Sequence, residues 1–360
     1  MDHIVEEARD ALERELDFLE KSAGLVLDLE RSVVEVSGDR AVELIAGLLT
    51  NDVEGLGIDH AIYSFMLTPK GRPVAEMRVV RRSGGMWLDM PDACVEAVLV
   101  HLGRYLPPRL AQFRLAEAWR RLSVVGPRAA EALAALPFVP APGELASLHA
   151  AHAEEPPLGT LIRREPTEGP GFDLYATEVD AWRALLGTAV ERVGGGLVGP
   201  AAYDAWRIDR GIPMYGREID PDVLPQETGQ EKRAVSFTKG CYTGQEVVAR
   251  IHYRGHVNRH LRRLRFADPT SDEAGVSDEA GASEDQVSEG PEVSEGAELY
   301  DGDRVVGHVT SVARHPARGT IGLGYVRREV EPPADLALEA GGPGTCSVHE
   351  LGPGRRKAST

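Results

Sequence analysis

Apolar and polar positions along the chain follow one order of elements that occurs twice. The first run places a strand, a helix, two strands and a helix at residues 32–36, 39–49, 74–80, 86–90 and 93–106. The second run places the same elements at residues 121–125, 127–136, 158–163, 172–176 and 180–193. Alternation marks the strands, and spacings of three and four residues mark the helices. Two β-α-β-β-α runs predict an α+β protein with two ferredoxin-like lobes.

Helical patterns also flank these runs. Apolar residues from Ile4 to Leu19 recur at helical spacing among many Glu and Asp residues. We therefore predict an acidic helix within residues 1–24 rather than a targeting segment. Pro200 opens a later helix and Gly211 follows its last turn, which are the favoured places of these two residues.

One tract breaks the pattern. Residues 268–298 hold eleven acidic residues, no Lys or Arg, and a tandem Ser-Asp-Glu-Ala-Gly repeat. Such a composition cannot bury enough apolar surface to order itself, so we predict a disordered, solvated insertion; a functional acidic segment is the alternative. Without this tract the net charge of −17 becomes −6, from 46 acidic and 40 basic residues. The rest of the chain is thus only mildly acidic.

Composition limits the classes of protein that the chain can belong to. Its 360 residues, 42% of them hydrophobic, are enough for two or three domains. No apolar run approaches the length of about 18 residues that suggests a membrane span, so no membrane partner is expected. Cys94, Cys241 and Cys346 are odd in number and widely separated, which argues against a disulfide framework. We expect a cytoplasmic protein.

The most informative segment for chemistry is Lys239-Gly240-Cys241-Tyr242-Thr243-Gly244-Gln245-Glu246. Thr243 and Glu246 have the spacing of a capping box, which predicts a helix that starts here. A helix N-terminus and the charge of Lys239 would both favour the thiolate of Cys241, so we predict a reactive cysteine. The alternative is a small buried residue at a tight turn.

This octet, continued through Val247-Val248-Ala249-Arg250, resembles the motif of the YgfZ family of folate-binding proteins. That family is related to the glycine-cleavage T-protein (aminomethyltransferase) and is the bacterial counterpart of mitochondrial iron–sulfur assembly factors. Further segments are similar to landmarks of the two families: residues 49–53, 67–72, 202–216, 307–311 and 322–326. The resemblance covers nearly all of the chain after the first ~25 residues.

The resemblance implies a T-protein-like disc of three domains around a central folate cavity. Residues 25–115 with 198–260 would form the folate-binding lobe, and 116–197 the second lobe. A C-terminal antiparallel β-barrel would span 261–352, interrupted by the insertion at 268–298, and 353–360 would be a flexible tail.

The resemblance also implies a tetrahydrofolate cofactor, or a one-carbon derivative of it, and a set of site residues. Arg207 matches the T-protein arginine near bound folate, and its planar guanidinium suits paired oxygens. The alternative is a surface salt bridge to Asp204 or Asp209. Catalytic roles fall to Cys241 and Lys239, and folate contacts to Tyr215, Tyr242, Gln245, Glu168 and Asn51.

Two departures from the T-protein bear on catalysis. Ala75 and Glu76 stand where the T-protein has paired aspartates, and Glu168 lies one position early relative to its pterin-binding glutamate. Proton transfer to a folate nitrogen then lacks its obvious general acid, so aminomethyl transfer is disfavoured. The implied function is support of iron–sulfur cluster assembly or repair in client enzymes, including tRNA-modifying ones. The alternatives are a folate-dependent one-carbon transferase and an RNA- or protein-binding module.

Residues 250–265 combine histidines and arginines without a single acidic residue. His252, His256 and His260 recur every four residues, but Gly255 interrupts the segment and no carboxylate supports it, so we predict no metal site. The arginines from Arg250 to Arg265 suit folate polyglutamate, an RNA backbone or an acidic partner. The alternative is a strand whose arginines face solvent.

Overall fold

The computed structural model describes residues 2–27, 30–139, 141–145, 149–154, 157–267 and 293–352. The predicted tail and residues 268–292 of the predicted insertion lie outside the described residues. Contacts divide the chain into a first unit, Met1–Trp206 with Ile212–Val257, and a second unit, Arg207–Gly211 with Asn258–Thr360. No helix in the described ranges is long and apolar enough to cross a membrane.

The helices of the described residues are α1 (Asp2–Lys21), α2 (Ala41–Ala46), α3 (Val95–Tyr105), α4 (Ala129–Leu133), α5 (Val179–Glu191), α6 (Pro200–Arg210), α7 (Glu231–Ala234) and α8 (Gln245–Arg254). Single 3₁₀ turns occur at Asp92–Cys94, Pro142–Glu144 and Pro166–Glu168.

The strands are β1 (Gly24–Val26), β2 (Arg31–Ser37), β3 (Ala61–Leu67), β4 (Pro73–Arg82), β5 (Gly85–Pro91), β6 (Gln112–Leu115), β7 (Arg120–Val125), β8 (Phe138–Val139), β9 (Ala150–Ala153), β10 (Gly159–Arg163), β11 (Gly171–Ala176), β12 (Gly196–Val198), β13 (Arg259–Phe266), β14 (Glu298–Asp301), β15 (Arg304–His315), β16 (Gly319–Arg327), β17 (Ala334–Leu336) and β18 (Cys346–His349).

The first lobe contains an antiparallel five-stranded sheet in the order β3-β4-β5-β2-β6. The four strands β6-β2-β5-β4 have the order of a ferredoxin-like sheet, and β3 adds a strand at one edge. Side chains alternate along β4, so Met77 and Val79 join Ile45 of α2 and Leu102 of α3 in one apolar core. Glu76 and Arg78 therefore lie on the opposite face of the sheet.

The second lobe contains a seven-stranded sheet in the order β12-β1-β7-β11-β10-β9-β8. Here β12, β7, β11 and β10 have the ferredoxin-like order, and β1 is inserted between β12 and β7. The strand β1 runs parallel to β12 and antiparallel to β7, although the predicted lobe boundary at residue 25 assigned it to the other lobe. Trp182 and Leu186 of α5 pack with Leu133 of α4 on one face.

Charged side chains of both lobes meet between the other faces of these sheets. Arg78 of β4 forms ion pairs with Asp173 of β11 and with Glu168. Asp173 is fully buried and also accepts hydrogen bonds from Ser123 Oγ at 2.5 Å and Arg164 Nη1 at 2.9 Å. Burial alone would raise the pKa of Asp173, but the nearby arginines hold it well below its usual range.

A second carboxylate, Asp89 of β5, completes this charged layer from the five-stranded sheet. It accepts hydrogen bonds from Arg31 Nε at 2.9 Å, Arg121 Nη1 at 3.0 Å and Tyr175 Oη at 2.7 Å. Arg121 and Tyr175 belong to the seven-stranded sheet, so Asp89, like Asp173, joins the two lobes. We name this cluster the inter-sheet charge layer; it consists of Arg31, Glu76, Arg78, Asp89, Arg121, Arg164, Glu168 and Asp173.

The second unit contains an antiparallel sheet in the order β14-β15-β16-β13-β18-β17. Its two edge strands approach each other where Tyr300 and Ala337 exchange backbone hydrogen bonds of 2.9 Å. The sheet is thus a nearly closed barrel around an apolar core that includes Leu264, Val309 and Val348. The predicted α+β class, with two ferredoxin-like sheets and a C-terminal antiparallel barrel, is confirmed.

The predicted insertion extends too far at its C-terminal boundary. Val293 and Ala297 pack against the barrel core, and Gly296 N donates a hydrogen bond to Val309 O at 2.8 Å. Residues 293–298 are therefore part of the barrel. Two apolar side chains are sufficient to hold this segment on the barrel, because backbone hydrogen bonds also fix it beside β15.

We expect Asp173→Asn to destabilise the first unit by about 3–5 kcal/mol, because the buried Arg164 loses its ion pair and Arg78 is left with Glu168 alone of its two carboxylates. Urea denaturation near pH 7 measures this, with Asp180→Asn, an exposed aspartate, as the control. Because the native pKa of Asp173 is depressed, its contribution is present above the unfolded pKa of about 4 and is lost as the pH falls below it. The difference between wild type and Asp173→Asn should therefore shrink in acid; a constant difference would contradict this explanation.

Candidate functional site

The loop that carries Cys241 connects α7 to α8, and its backbone requires a glycine at its end. Gly244 has φ +85°, and a Cβ added there would lie 2.7 Å from Thr68 O. Gly244 is also the N-cap of α8, where no side chain provides a capping hydrogen bond. The predicted capping box is therefore wrong: Thr243 Oγ1 donates instead to Gly47 O at 3.5 Å. The left-handed glycine sets the entry into α8.

Lys239 fastens this loop to the end of α2. Its Nζ donates hydrogen bonds to the carbonyl oxygens of Ala46, Leu49 and Asn51 at 2.6, 2.8 and 3.0 Å. These carbonyls lie at or just after the C-terminus of α2, where helical partners are missing. Partial burial lowers the pKa of Lys239 to about 8, although Asp52 and Glu54 oppose the shift. The ammonium thus has a structural role in this loop.

Asn51 makes a second connection between the same segments. Its Nδ2 donates to Tyr63 O of β3 at 2.8 Å and to Arg233 O of α7 at 2.7 Å. Its Oδ1 accepts from Asp52 N at 2.9 Å, and the side chain is buried. The structure therefore brings the predicted landmark at residues 49–53 against the loop of Lys239. Asn51 connects the backbone of β3 to that of α7 at this point.

Cys241 is exposed, which sets it apart from the other two thiols. Cys94 and Cys346 are fully buried, and burial raises the pKa of each to about 12. Both are therefore protonated at neutral pH and shielded from reagents. Cys241 is the thiol that a partner in solution can reach.

Tyr242 and Gln245 hold the loop on either side of Thr243. The ring of Tyr242 is buried in a cluster with Phe65 and Val248, and burial raises its pKa to about 12. Gln245 is the half-buried first residue of α8, and its backbone N–H donates to Tyr242 O at 3.2 Å. Tyr242 is buried in this cluster and the preceding Cys241 is exposed, so the sulfur faces solvent.

Glu168 lies at the end of the 3₁₀ turn Pro166–Glu168 and belongs to the inter-sheet charge layer. It pairs with Arg78 and, through Oε1 at 3.0 Å, with Arg233. Burial opposes ionisation, but these two guanidiniums hold the pKa of Glu168 well below its usual range. The carboxylate is ionised at neutral pH, with 14% of its side chain exposed. It can accept hydrogen bonds from a ligand but cannot donate a proton.

Arg233, which the sequence analysis did not select, joins Glu168 to the loop. Its guanidinium lies 3.7 Å above the ring of Tyr63 and donates to Glu165 Oε2 at 3.0 Å. Its carbonyl oxygen accepts from Asn51, as described above. Nothing in the local sequence marks Arg233. Arg78 had a signal, because it stands with Glu76 inside an apolar strand, and buried charges of this kind are usually paired.

Glu76 and Tyr215 flank the buried thiol of Cys94. Glu76 is almost fully buried and pairs with Arg31, so its carboxylate is already engaged. Tyr215 Oη donates to Val74 O at 3.3 Å, and burial, with Cys94 beside it, raises the pKa of Tyr215. The predicted folate ligand Tyr215 thus lies against β4, in the same apolar cluster as Tyr242.

Arg207 lies in the second unit. Only 1% of it is exposed, and its Nη2 donates to Ser311 Oγ on β15 at 2.8 Å. Arg207 is therefore not at the surface, where the alternative of a surface salt bridge had placed it. The guanidinium of Arg207, which belongs to α6, is thus held by a hydrogen bond to the barrel strand β15.

The family profile of the GCVT N-terminal domain matches residues 5–239. The chain belongs to this family. An aminomethyltransferase of Moorella thermoacetica is 32% identical over 266 residues, 68% of each chain. A tRNA-modifying protein YgfZ of Edwardsiella ictaluri is 29% identical over 235 residues, which cover 64% of this chain and 68% of that one.

A solved structure shows the same fold. The glycine cleavage system aminomethyltransferase T from Bartonella henselae aligns with a TM-score of 0.77 at 23% identity, covering 95% of this chain and 89% of that chain. Relatives thus include both YgfZ proteins and aminomethyltransferases, and the recognised relationship to YgfZ and the T-protein is confirmed.

We expect iodoacetamide to modify Cys241 in the native protein while Cys94 and Cys346 remain unmodified, since only Cys241 is exposed. Peptide mass mapping after a short reaction near pH 7.5 measures each site. In denaturant all three should react at similar rates, which is the control. Comparable modification of Cys94 in the native state would show that the core of the first lobe opens readily.

Proposed function

We propose that the protein binds tetrahydrofolate and supports the assembly or repair of iron–sulfur clusters in client enzymes, including tRNA-modifying ones. The observation that carries the proposal is an exposed cysteine on a rigidly anchored loop. Lys239 donates three hydrogen bonds to backbone carbonyls before Cys241, and the left-handed Gly244 fixes the backbone after it. A thiol fixed in this way is presented to a partner without the entropic cost of ordering a flexible segment.

The carboxylates of the first unit support a role other than aminomethyl transfer. That reaction needs a group that gives a proton to a folate nitrogen. Glu76 is engaged by Arg31, and Glu168 is held ionised by Arg78 and Arg233. Glu168, held ionised, cannot serve as a general acid near neutral pH. The one-carbon transferase therefore remains the weaker alternative.

The side chains present fit a folate as a bound cofactor. The ionised Glu168 offers lone pairs to the N–H groups at the edge of a pterin ring. Separately, in the second unit, the guanidinium of Arg207 has the chemistry that suits a glutamyl carboxylate or the pterin oxygen. Tetrahydrofolate would supply one-carbon chemistry when bound. The residues of this chain would bind and orient it.

The iron–sulfur cluster would be the substrate of the protein, and Cys241 would bind it. The thiol releases its proton to solvent, and the thiolate sulfur is a good ligand for iron. The proposed partners are accordingly iron–sulfur enzymes or assembly proteins that reach the exposed loop. We also propose that the arginines from Arg250 to Arg265 contact RNA. A cytoplasmic location is a further part of the proposed function.

We expect tetrahydrofolate to bind, and Arg207→Ala to weaken binding at least tenfold, because a lost charge-assisted hydrogen bond removes about 1.5–3 kcal/mol. Isothermal titration calorimetry in the presence of a reductant compares the two proteins. Ser311→Ala is the matched control, since it removes one hydrogen-bond partner of Arg207 and keeps the guanidinium. Equal affinity in a folded Arg207→Ala protein would place the folate site elsewhere.

We expect Cys241→Ser to fold normally but to fail in restoring iron–sulfur enzyme activities to a strain that lacks the gene. The substitution keeps the size and hydrogen bonding of an exposed side chain and removes the thiolate. Cys346→Ala, which removes a buried thiol, is the control and should complement. Full complementation by Cys241→Ser would remove the cysteine from the mechanism, and methylene transfer to tetrahydrofolate by the purified protein would favour the transferase.

A further inference from the structure

An exposed aromatic cluster lies at the C-terminal end of α8. The rings of Phe237 and His252 are stacked with centroids 3.7 Å apart and an interplanar angle of 21°. The ring of Tyr253 stands edge-on to both, at 6.0 Å from Phe237 and 4.8 Å from His252. Tyr253 is 66% exposed, which is unusual for a tyrosine and leaves a ring face open to solvent. We call these three residues the α8 platform.

Positive charge surrounds the α8 platform. Arg250 and Arg254 are exposed on the same helix, three residues before and one residue after Tyr253, so Arg250 is its neighbour on the helix surface. Lys232 is exposed beside Glu231 at the start of α7. Glu231 Oε1 lies 3.4 Å from His252 Nδ1 and Glu246 lies at the far end of α8, while residues 247–257 contain no acid. In a chain of net charge −17, this is a local excess of cations.

The arginines of β13, which the sequence joined to this stretch, are used within the second unit. Arg262 pairs with Glu350, and Arg263 donates to Asp209 O and Glu350 O at 3.0 Å each. Arg259 lies over the ring of Tyr325. Of the β13 arginines, Arg265 is the exposed one. The predicted basic patch is therefore divided, and its accessible charges beside aromatic rings lie on α8.

We propose that the α8 platform binds single-stranded RNA, with an unpaired base stacked on Tyr253 and the adjacent phosphates paired with Arg250 and Arg254. Flat rings bind unpaired bases by stacking, and arginines beside them neutralise phosphates; the two together characterise surfaces for single strands. A duplex keeps its bases stacked on one another and offers Tyr253 no free base. Tyrosine and arginine are also common in protein–protein interfaces, so the salt dependence of binding is what identifies a nucleic-acid ligand.

This inference rests on the proposed RNA contact through Arg250 to Arg265 and narrows it to the arginines of α8, so that Arg265 of β13 lies outside the binding surface. The α8 platform belongs to the element that follows the Cys241 loop, and Phe237 lies four residues before Cys241. RNA bound there would lie on the segment that presents the thiol. RNA binding is measured without folate or clusters, so its outcome is independent of the folate and complementation experiments.

The test is fluorescence anisotropy of the full chain with a labelled, unstructured oligoribonucleotide of about a dozen nucleotides, over a series of salt concentrations. We expect the single strand to bind more tightly than a duplex of equal length. Tyr253→Ala should weaken single-strand binding by about tenfold, and Tyr253→Phe should retain it because the ring face is kept. Arg250→Gln and Arg254→Gln should each reduce the slope of log affinity against log salt by about 0.7.

Arg265→Gln is the matched control, since it removes one exposed arginine of β13 and should leave affinity and salt slope unchanged. Circular dichroism confirms that each variant is folded. Three results would overturn the proposal: no binding of the single strand at low salt, unchanged affinity of Tyr253→Ala, or equal losses from Arg265→Gln and Arg254→Gln. The last would show diffuse electrostatic attraction without a defined platform.

Discussion

The pairing of Arg78 with Asp173 across the two lobes is the interaction on which the rest of the first unit depends. Two ferredoxin-like sheets face each other, and the side chains between them are charged as well as apolar. An unpaired charge in this position would cost several kcal/mol, so the sheets must be placed such that every carboxylate has its arginines. Apolar packing tolerates small displacements, whereas these directional pairs define one arrangement of the lobes.

The same layer extends to the candidate site through a short series of contacts. Glu168 belongs to the charge layer and also binds Arg233; the carbonyl of Arg233 binds Asn51; and the carbonyl of Asn51 binds Lys239. Each step is a direct ion pair or hydrogen bond. The loop of Cys241 is therefore positioned by the packing of the two lobes and not only by its own glycines. This explains why the predicted site residues Asn51, Lys239 and Glu168, distant in sequence, lie in one connected region.

Much of the fold could be predicted from the sequence, because its strands and helices have regular periods. The helix α3 has apolar residues at spacings of three and four, and β4 and β5 are bounded by a clear turn. The sequence analysis missed strand β3, Ala61–Leu67, because its mostly apolar residues do not alternate with polar ones. The hydrophobic periodicity of such a run cannot distinguish a strand from a helix. Strand β1 has only three residues and forms through its two neighbours, so no local pattern reveals it.

The site was predictable only in part. The octet around Cys241 identified the family, and the thiol is exposed as a reactive cysteine must be. The capping box failed because a left-handed glycine starts α8, and sequence spacing does not report a backbone angle. Arg233 was missed because its importance arises from contacts with residues far away in the chain, among them Glu168 and Tyr63.

The burial of Cys94 and Cys346 has a consequence for oxidation. A sulfenic acid formed on Cys241 is normally resolved by a neighbouring thiol, which condenses with it to a disulfide. Both other thiols of this chain are enclosed in separate apolar cores, so none can reach Cys241 while the protein is folded. Reversal must therefore use a thiol from outside the molecule. Under peroxide stress we expect mixed disulfides with small thiols, or disulfide-linked pairs of chains, and no internal disulfide.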